Sequence, residues 1–338
     1  MRAWLLSGTR GPDGYHLGSV ADPEPGDSEV RVRLHASALN HLDLWVAHGM
    51  PAPPAFPHVP GADGAGEIDA VGEGVTTVAL GDEVMIDPST SCGSCAACAR
   101  GDVPFCRSFR VLGEHRWGTH AEAAVVPVAN VVPKPPNVTW EQAAAAGLVV
   151  ASAVRMLRRA RVTAGDHVLV VGVGGGSATA AFLVARAYGA TVVATSTKDD
   201  GRTWAGAHGA AATFDSAGSY DEEVRAAVGG GVDVVVDNVG SATFERSLRS
   251  LRRGGRLVTN GSTSGRTAEL HLPTLFWRQL EIVGASMNDH REFAEAVRLL
   301  GDGSVEVPVD AAVPFEGFPD ALERLEAGDQ LGKIVLTR

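Results

Sequence analysis

Residues 168–190, VLVVGVGGGSATAAFLVARAYGA, decide the fold. Val168-Leu169-Val170-Val171 is a short unbroken apolar run, the pattern of a strand buried on both faces of a parallel sheet. Gly172-Val-Gly174-Gly175-Gly176 follows, and then an Ala-rich stretch that reads as a helix stopped at Gly189. Strand, glycine turn and helix together bring bare backbone and a helix N-terminus against a pyrophosphate. Gly172-x-Gly174-x-x-Ser177 keeps two glycines of the dinucleotide fingerprint, and Gly174-x-Gly176-x-Ala178 compresses its spacing. A small residue at Ser177 or Ala178 still permits close packing of helix on strand.

Outward from this unit, the downstream chain alternates strand-like and helix-like stretches. Thr191-Val-Val-Ala-Thr-Ser, Ala212-Thr-Phe, Val232-Asp-Val-Val-Val-Asp, Arg256-Leu-Val-Thr-Asn and Glu281-Ile-Val-Gly-Ala-Ser-Met are separated by helical segments. That alternation predicts βαβ units and a doubly wound parallel sheet, an α/β fold. The upstream chain has another style. Glu29-Val-Arg-Val-Arg-Leu-His-Ala alternates strictly, as in an antiparallel strand with one wet face. A helix is expected to open near Asn40 and stop at Gly49, and Thr139, three residues before Gln142, can cap another. The tail, with helices near residues 292–300 and 320–326 and a last strand Lys333-Ile-Val-Leu, returns to the upstream style. The expected division is 1–148 with 289–338 as a β-rich domain and 149–288 as the dinucleotide-binding domain.

The 338 residues, 45% apolar and 20% charged, are enough for two cores. A net charge of −11 supplies no sustained basic surface, so no nucleic-acid partner is expected; the Arg-rich segment 155–161 reads as one solvated helix face. No apolar run suits a membrane span, and MRAWLLSGTRGPDG is too short-run for a signal peptide, so a cytoplasmic protein without a membrane partner is expected. The four cysteines fall in one segment, Cys92-x2-Cys95-x2-Cys98-x7-Cys106, inside a lobe spanning 90–108. Four thiolates at that spacing can close a tetrahedron around one Zn²⁺ with no open position, which makes the site structural. The x7 gap and the missing proline after the last cysteine fit common iron–sulfur spacings poorly.

Several further pieces resemble the zinc-containing medium-chain dehydrogenase/reductase superfamily over essentially the whole chain. They are Ala38-Leu-Asn-His-Leu-Asp, Pro60-Gly-Ala-Asp-Gly-Ala-Gly, Gly81-Asp-Glu-Val, the Cys lobe, Val234-Val-Val-Asp-Asn-Val-Gly, Asn260-Gly-Ser-Thr-Ser-Gly and Gly332-Lys-Ile-Val-Leu. The resemblance implies a GroES-like catalytic domain beside a Rossmann domain, with substrate held in a cleft between them. It also locates a departure. Family alcohol dehydrogenases bind a second, catalytic zinc through a Cys where this chain has Asn40, a His where it has Ala62, and a Cys or acid near Leu148. An amide, a methyl and an isobutyl group cannot hold Zn²⁺; a rescue would need an unusual site from Asp63, His41 or His58. The resemblance therefore points to the quinone oxidoreductase and enoyl reductase side of the superfamily, with the structural zinc retained and a conjugated acceptor reduced by hydride transfer. The alternatives are an alcohol or aldehyde dehydrogenase with a non-standard metal site, and a redox-silent NADPH-binding protein.

By the same resemblance Asn40 and Ser152 should sit near the nicotinamide end, and with His41 and Asp63 they are the candidate catalytic residues. Gly172, Gly174, Gly175, Gly176, Ser177 and Ala178 would hold the pyrophosphate. Asn238, Val239, Gly261, Ser262 and Thr263 would line the ribose–nicotinamide side. At the end of the second strand, Ser196 and Lys198 offer a hydroxyl and an ammonium with no acid before Asp199, which favours NADPH over NADH. His41, His58 and His120 fall in segments that should face the cleft, each read as a partly solvated histidine. Trp45, Phe276 and Trp277 are candidate pocket walls. The late apolar strand 280–287 would be a sheet edge needing cover, so a homodimer or homotetramer is expected.

Overall fold

A computed structural model describes all 338 residues and falls into two compact units, Met1–Leu148 with Asn288–Arg338, and Val149–Met287. The first unit opens with an antiparallel pair, β1 (Arg2–Leu6) and β2 (Tyr15–Ser19). The alternating stretch becomes β3 (Glu29–Ala38), which buries Val30, Val32 and Leu34 on one face. There follow α1 (His41–Ala47), β4 (Asp63–Val71), β5 (Glu83–Ile86), β6 (Ser89–Thr90), α2 (Ala96–Ala99), β7 (Arg110–Val111), β8 (Ala123–Pro127) and β9 (Val131–Pro133). Helix α3 (Trp140–Arg159) then begins with the Thr139 hydroxyl accepting the Gln142 N–H at 3.2 Å.

The second unit reads β10 (His167–Val171), α4 (Gly176–Ala187), β11 (Thr191–Ser196), α5 (Asp199–Ala207), β12 (Ala212–Asp215), α6 (Tyr220–Ala227), β13 (Val232–Asp237), α7 (Phe244–Ser250), β14 (Leu251–Thr259), α8 (Leu272–Arg278) and β15 (Glu281–Gly284). Its six strands are parallel in the order β12-β11-β10-β13-β14-β15. Val168, Leu169, Val170 and Val171 are wholly buried, as a strand covered on both faces requires. β10 lies between β11 and β13, so the turn after it stands where the winding reverses, the place at which such sheets open a ligand crevice.

The chain then returns to the first unit as α9 (His290–Gly301), β16 (Val309–Pro314), α10 (Phe318–Ala327) and β17 (Lys333–Thr337). β17 pairs antiparallel with β3, within a sheet ordered β16-β17-β3-β4-β5-β9, with β8 on β3. This is an α/β protein with a Rossmann-like sheet and a β-rich GroES-like part. No helix is long and apolar enough to cross a membrane.

Two expectations need correction. Arg155 is not on a solvated face but 95% buried, because α3 turns that side inward; Arg158, Arg159 and Arg161 face water. The strand expected over 280–287 stops at Gly284, its pairing with β14 ending there.

Candidate active site

In the second unit β10 runs into Gly172 at φ 84° and Gly174 at φ 119°, left-handed conformations that favour glycine. The Gly172 and Val173 N–H groups donate to the Thr195 carbonyl at 2.9 and 2.8 Å, which folds the turn over the end of β11. The Gly174 N–H donates to Thr179 Oγ1 at 3.1 Å. Gly175 is the N-cap of α4 and Gly176 its first residue, with no side chain capping the first turn. Ser177 and Ala178 lie in that turn. The helix start therefore keeps uncapped N–H groups of the kind that bind a pyrophosphate.

The neighbouring strand ends complete this corner. Ser196 Oγ accepts the Lys198 N–H at 3.2 Å, and Lys198 is the N-cap of α5. Arg202, one turn into α5, donates to the Ser196 carbonyl at 2.6 Å and pairs with Asp199. Gly201 is essential to this approach, since a Cβ there would lie 2.6 Å from both Ser196 Oγ and the Val173 carbonyl. Beyond β13 and β14 the loops interlock. Asn238 Oδ1 accepts the Asn260 N–H, the Val239 carbonyl accepts the Ser264 N–H, and the Asn238 carbonyl accepts the Thr263 N–H. Gly261 and Gly240 allow that contact: a Cβ on either would come within 3.0 Å, of the Asn238 carbonyl and of Ser262 Cα respectively. Thr195 Oγ1 and Asn238 Nδ2 are buried without a partner. Orphaned polar atoms beside an uncapped helix start fit a polar ligand such as a dinucleotide. Ser152 is buried within α3.

In the first unit, the three positions that carry metal ligands in the resembling dehydrogenases converge on one carboxylate. Asp63 is fully buried; its Oδ1 accepts the Leu148 N–H at 2.6 Å and its Oδ2 accepts Asn40 Nδ2 at 2.9 Å. Ala62 beside it is also fully buried. Gly147 lets α3 come this close, because a Cβ there would sit 2.8 Å from Asp63 Oδ1. The charge of Asp63 is met by Lys333 at the start of β17. The Lys333 ammonium donates to Asp63 Oδ2 at 3.1 Å, to Asn40 Oδ1 at 2.6 Å and to the Leu39 carbonyl at 2.7 Å. Lys333 is itself 97% buried, so all three ammonium protons have internal acceptors, which a buried charge requires.

The histidines separate by environment. His58 and His120, expected to be partly solvated, are buried and bonded. His58 Nε2 lies 2.9 Å from the Gly113 carbonyl and so donates to it. His120 bridges Ser37 Oγ (3.0 Å) and Asp43 Oδ2 (3.4 Å). Asp43 in turn accepts the Asn40 N–H at 2.8 Å and the Gly61 N–H at 3.1 Å, fixing the start of α1. His41 is half-buried, with its ring near Trp45; burial first, and then the Lys333 ammonium, lower its pKa, while Asp43 opposes them. Trp45 is 36% exposed, and Phe276 and Trp277 are 59% and 68% exposed. Of these groups the sequence did not reveal Lys333, Gly147 or Gly201.

The Cys lobe passes a direct test of fit. The four sulfurs of Cys92, Cys95, Cys98 and Cys106 lie within 4.8 Å of one another, with Cys92–Cys98, Cys95–Cys98 and Cys92–Cys106 at 3.9, 3.6 and 3.5 Å. A tetrahedron with Zn–S bonds of about 2.3 Å has edges of about 3.8 Å. The Cys92 and Ser108 N–H groups point at Cys106 Sγ, a second layer that favours thiolate. This is a structural zinc site, and it is the one group of three or more His, Cys, Asp or Glu side chains placed to hold a metal ion.

These two arrangements define an oxidoreductase with a nucleotide corner and a zinc-stapled lobe, and the comparisons agree. Residues 26–136 match the family model described as alcohol dehydrogenase GroES-like domain, and residues 172–302 match zinc-binding dehydrogenase. An acryloyl-coenzyme A reductase of Metallosphaera sedula is 31% identical over 338 residues, covering 100% of both chains. A solved NAD-dependent alcohol dehydrogenase superposes with a TM-score of 0.97 at 40% identity, over 100% of both chains. A 2-octenoyl-CoA carboxylase reductase, solved with NADP and 2-octenoyl-CoA, gives a TM-score of 0.92 at 27% identity, covering 99% of this chain and 87% of its own. The chain belongs to the medium-chain dehydrogenase/reductase superfamily and is an NAD(P)-dependent oxidoreductase.

Proposed function

We propose that the chain is an NADPH-dependent reductase that delivers hydride to an activated acceptor, an α,β-unsaturated carbonyl compound or a quinone, without a catalytic zinc. The observation that carries this reading is the cluster at Asp63. Asn40, Ala62 and Leu148 offer neither thiolate nor imidazole, and both Asp63 oxygens are engaged by Leu148, Asn40 and Lys333. His58 donates to a carbonyl and so brings no lone pair from Nε2 to the site. Oxidising a plain alcohol draws several kcal/mol of alkoxide stabilisation from a Lewis acid. A conjugated acceptor carries the charge that follows hydride transfer in its own π-system and needs no such ion.

When bound, the reduced nicotinamide supplies the hydride. The turn from Gly172 to Gly176 and the start of α4 would hold the pyrophosphate through backbone N–H groups. The loops around Asn238 and Val239 and around Gly261, Ser262 and Thr263 would line the ribose–nicotinamide side. Ser196, Lys198 and Arg202 give the adenosine corner a hydroxyl and two cations, which suit a 2′-phosphate, and Asp199 is partly neutralised by Arg202. The relatives named for acryloyl-CoA and for 2-octenoyl-CoA with NADP support the enoyl class in particular. The solved relative named as an NAD-dependent alcohol dehydrogenase supports a second reading, an alcohol or aldehyde dehydrogenase with a non-standard metal site.

The test is oxidation of NADPH and NADH, followed at 340 nm, across enones, enoyl thioesters, quinones and aldehydes. Turnover with enoyl thioesters or quinones, at higher kcat/KM for NADPH than for NADH, is expected. Activity confined to aldehydes, with NADH preferred, would establish the second reading.

A further inference from the structure

Lys333 is the most deeply placed cation near the candidate catalytic residues, and neither the proposed function nor the sequence motifs give it a role. Its ammonium spends its three protons on the Leu39 carbonyl, Asn40 Oδ1 and Asp63 Oδ2. Asn40 Nδ2 meanwhile donates to Asp63 Oδ2 at 2.9 Å and to the Ala38 carbonyl at 3.3 Å. The Asn40 amide is therefore saturated inside the protein and presents no free donor to a substrate. What it does present is the chain direction: Asn40 is the residue before α1, and His41 is the first residue of that helix. His41 has no hydrogen bond from its ring, and its charged neighbours are Lys333 from β17 and Asp43 from α1.

We propose that Lys333 is a positioning residue, a buried ammonium that clamps the link between β3 and α1 to the Asp63–Leu148 contact and thereby sets the orientation of His41 at the start of α1. The three acceptors lie on two separate stretches of chain, 39–40 and 63, and Asp63 carries the contact on to Leu148, so removal of the cation acts on the start of α1 rather than on general packing alone. Burial first, and then the positive charge of Lys333, disfavour a second proton on the His41 imidazole, while Asp43 opposes them. The activity arm of the test rests on the hydride-transfer reading above; the spectroscopic arm does not.

Three zinc-replete variants separate positioning from stability. Lys333→Met leaves Asp63 buried and unpaired and lowers Tm by about 10 °C. Asp63→Asn with Lys333→Met removes both charges and regains most of that Tm, since losing a buried pair together costs far less than losing one partner. Lys333→Arg restores the charge. The His41 titration, read by NMR from its ring Cε1–H and assigned with His41→Gln, moves upward in the double variant and stays at the wild-type midpoint in Lys333→Arg. With the best acceptor from the panel, the double variant loses about tenfold or more in kcat while KM for NADPH changes less than about twofold. A double variant with wild-type kcat and an unmoved His41 midpoint overturns the proposal. Failure of the wild-type enzyme to reduce any conjugated acceptor overturns the functional reading instead and leaves the His41 result to be judged alone.

Discussion

The imidazole of His58 donates one proton to the Gly113 carbonyl deep in the first unit, where a second proton would put an unpaired charge out of reach of water. Burial lowers its pKa, as it does that of His41, and the Gly113 hydrogen bond only partly opposes this. The sign follows. The unfolded chain takes up protons first, so stability is complete above the ordinary imidazole value of 6.5 and is lost as pH falls below it toward the lowered folded value. Thermal unfolding of the wild type followed from pH 8 to pH 5 should show Tm declining below about pH 6.5, and His58→Asn should decline less steeply. Equal slopes would remove His58 from this account. At this scale the sequence was a partial guide. Cys92, Cys95, Cys98 and Cys106 could be read because all four ligands lie in one short segment. Asp63 and Lys333 are 270 residues apart, and Gly332-Lys-Ile-Val-Leu by itself reads as a strand start, so no local pattern announces their pairing. The buried state of His58 and His120 was lost for the same reason: their partners Gly113 and Ser37 lie 55 and 83 residues away.

Among the elements, α5 is held against the glycine turn by the absence of one carbon atom. A Cβ at Gly201 would meet Ser196 Oγ and the Val173 carbonyl at 2.6 Å, closer than real Cβ contacts come, and one of these is backbone that cannot rotate away. Gly201→Ala should push α5 off the turn and carry Lys198 and Arg202 with it. We expect KM for NADPH to rise about tenfold or more, with Tm lowered by a few degrees, about 1–3 kcal/mol of overpacking strain. An unchanged KM in steady-state kinetics would show that α5 does not shape the adenosine corner. The turn itself was legible from residues 168–190, because buried strand, glycine turn and Ala-rich helix are each set by neighbours in sequence. Gly201 was not, since its meaning depends on a packing contact with Val173 and Ser196. The extent of β15 was overread because the apolar run continues past the last residue that pairs with β14.

For the whole molecule, the second unit ends its sheet on β15, an unpaired edge bearing exposed Glu281, Ile282 and Gly284, near which α8 shows Leu272, Phe276 and Trp277 to solvent. A bare edge beside apolar side chains invites pairing, and two-fold pairing with a second copy closes it. Sedimentation should therefore give a dimer or a larger even assembly, shifted toward monomer by Ile282→Lys; a wild-type monomer at micromolar concentration would contradict this. The central claim concerns which groups do the chemistry, and its most direct measurement couples metal content to activity. Zinc per chain is counted by elemental analysis on the same sample whose reduction of an enoyl thioester by NADPH is timed, before and after addition of a further equivalent of Zn²⁺. The account predicts full activity at one zinc per chain, unchanged by more. Activity that appears only as a second zinc is taken up tightly would contradict it.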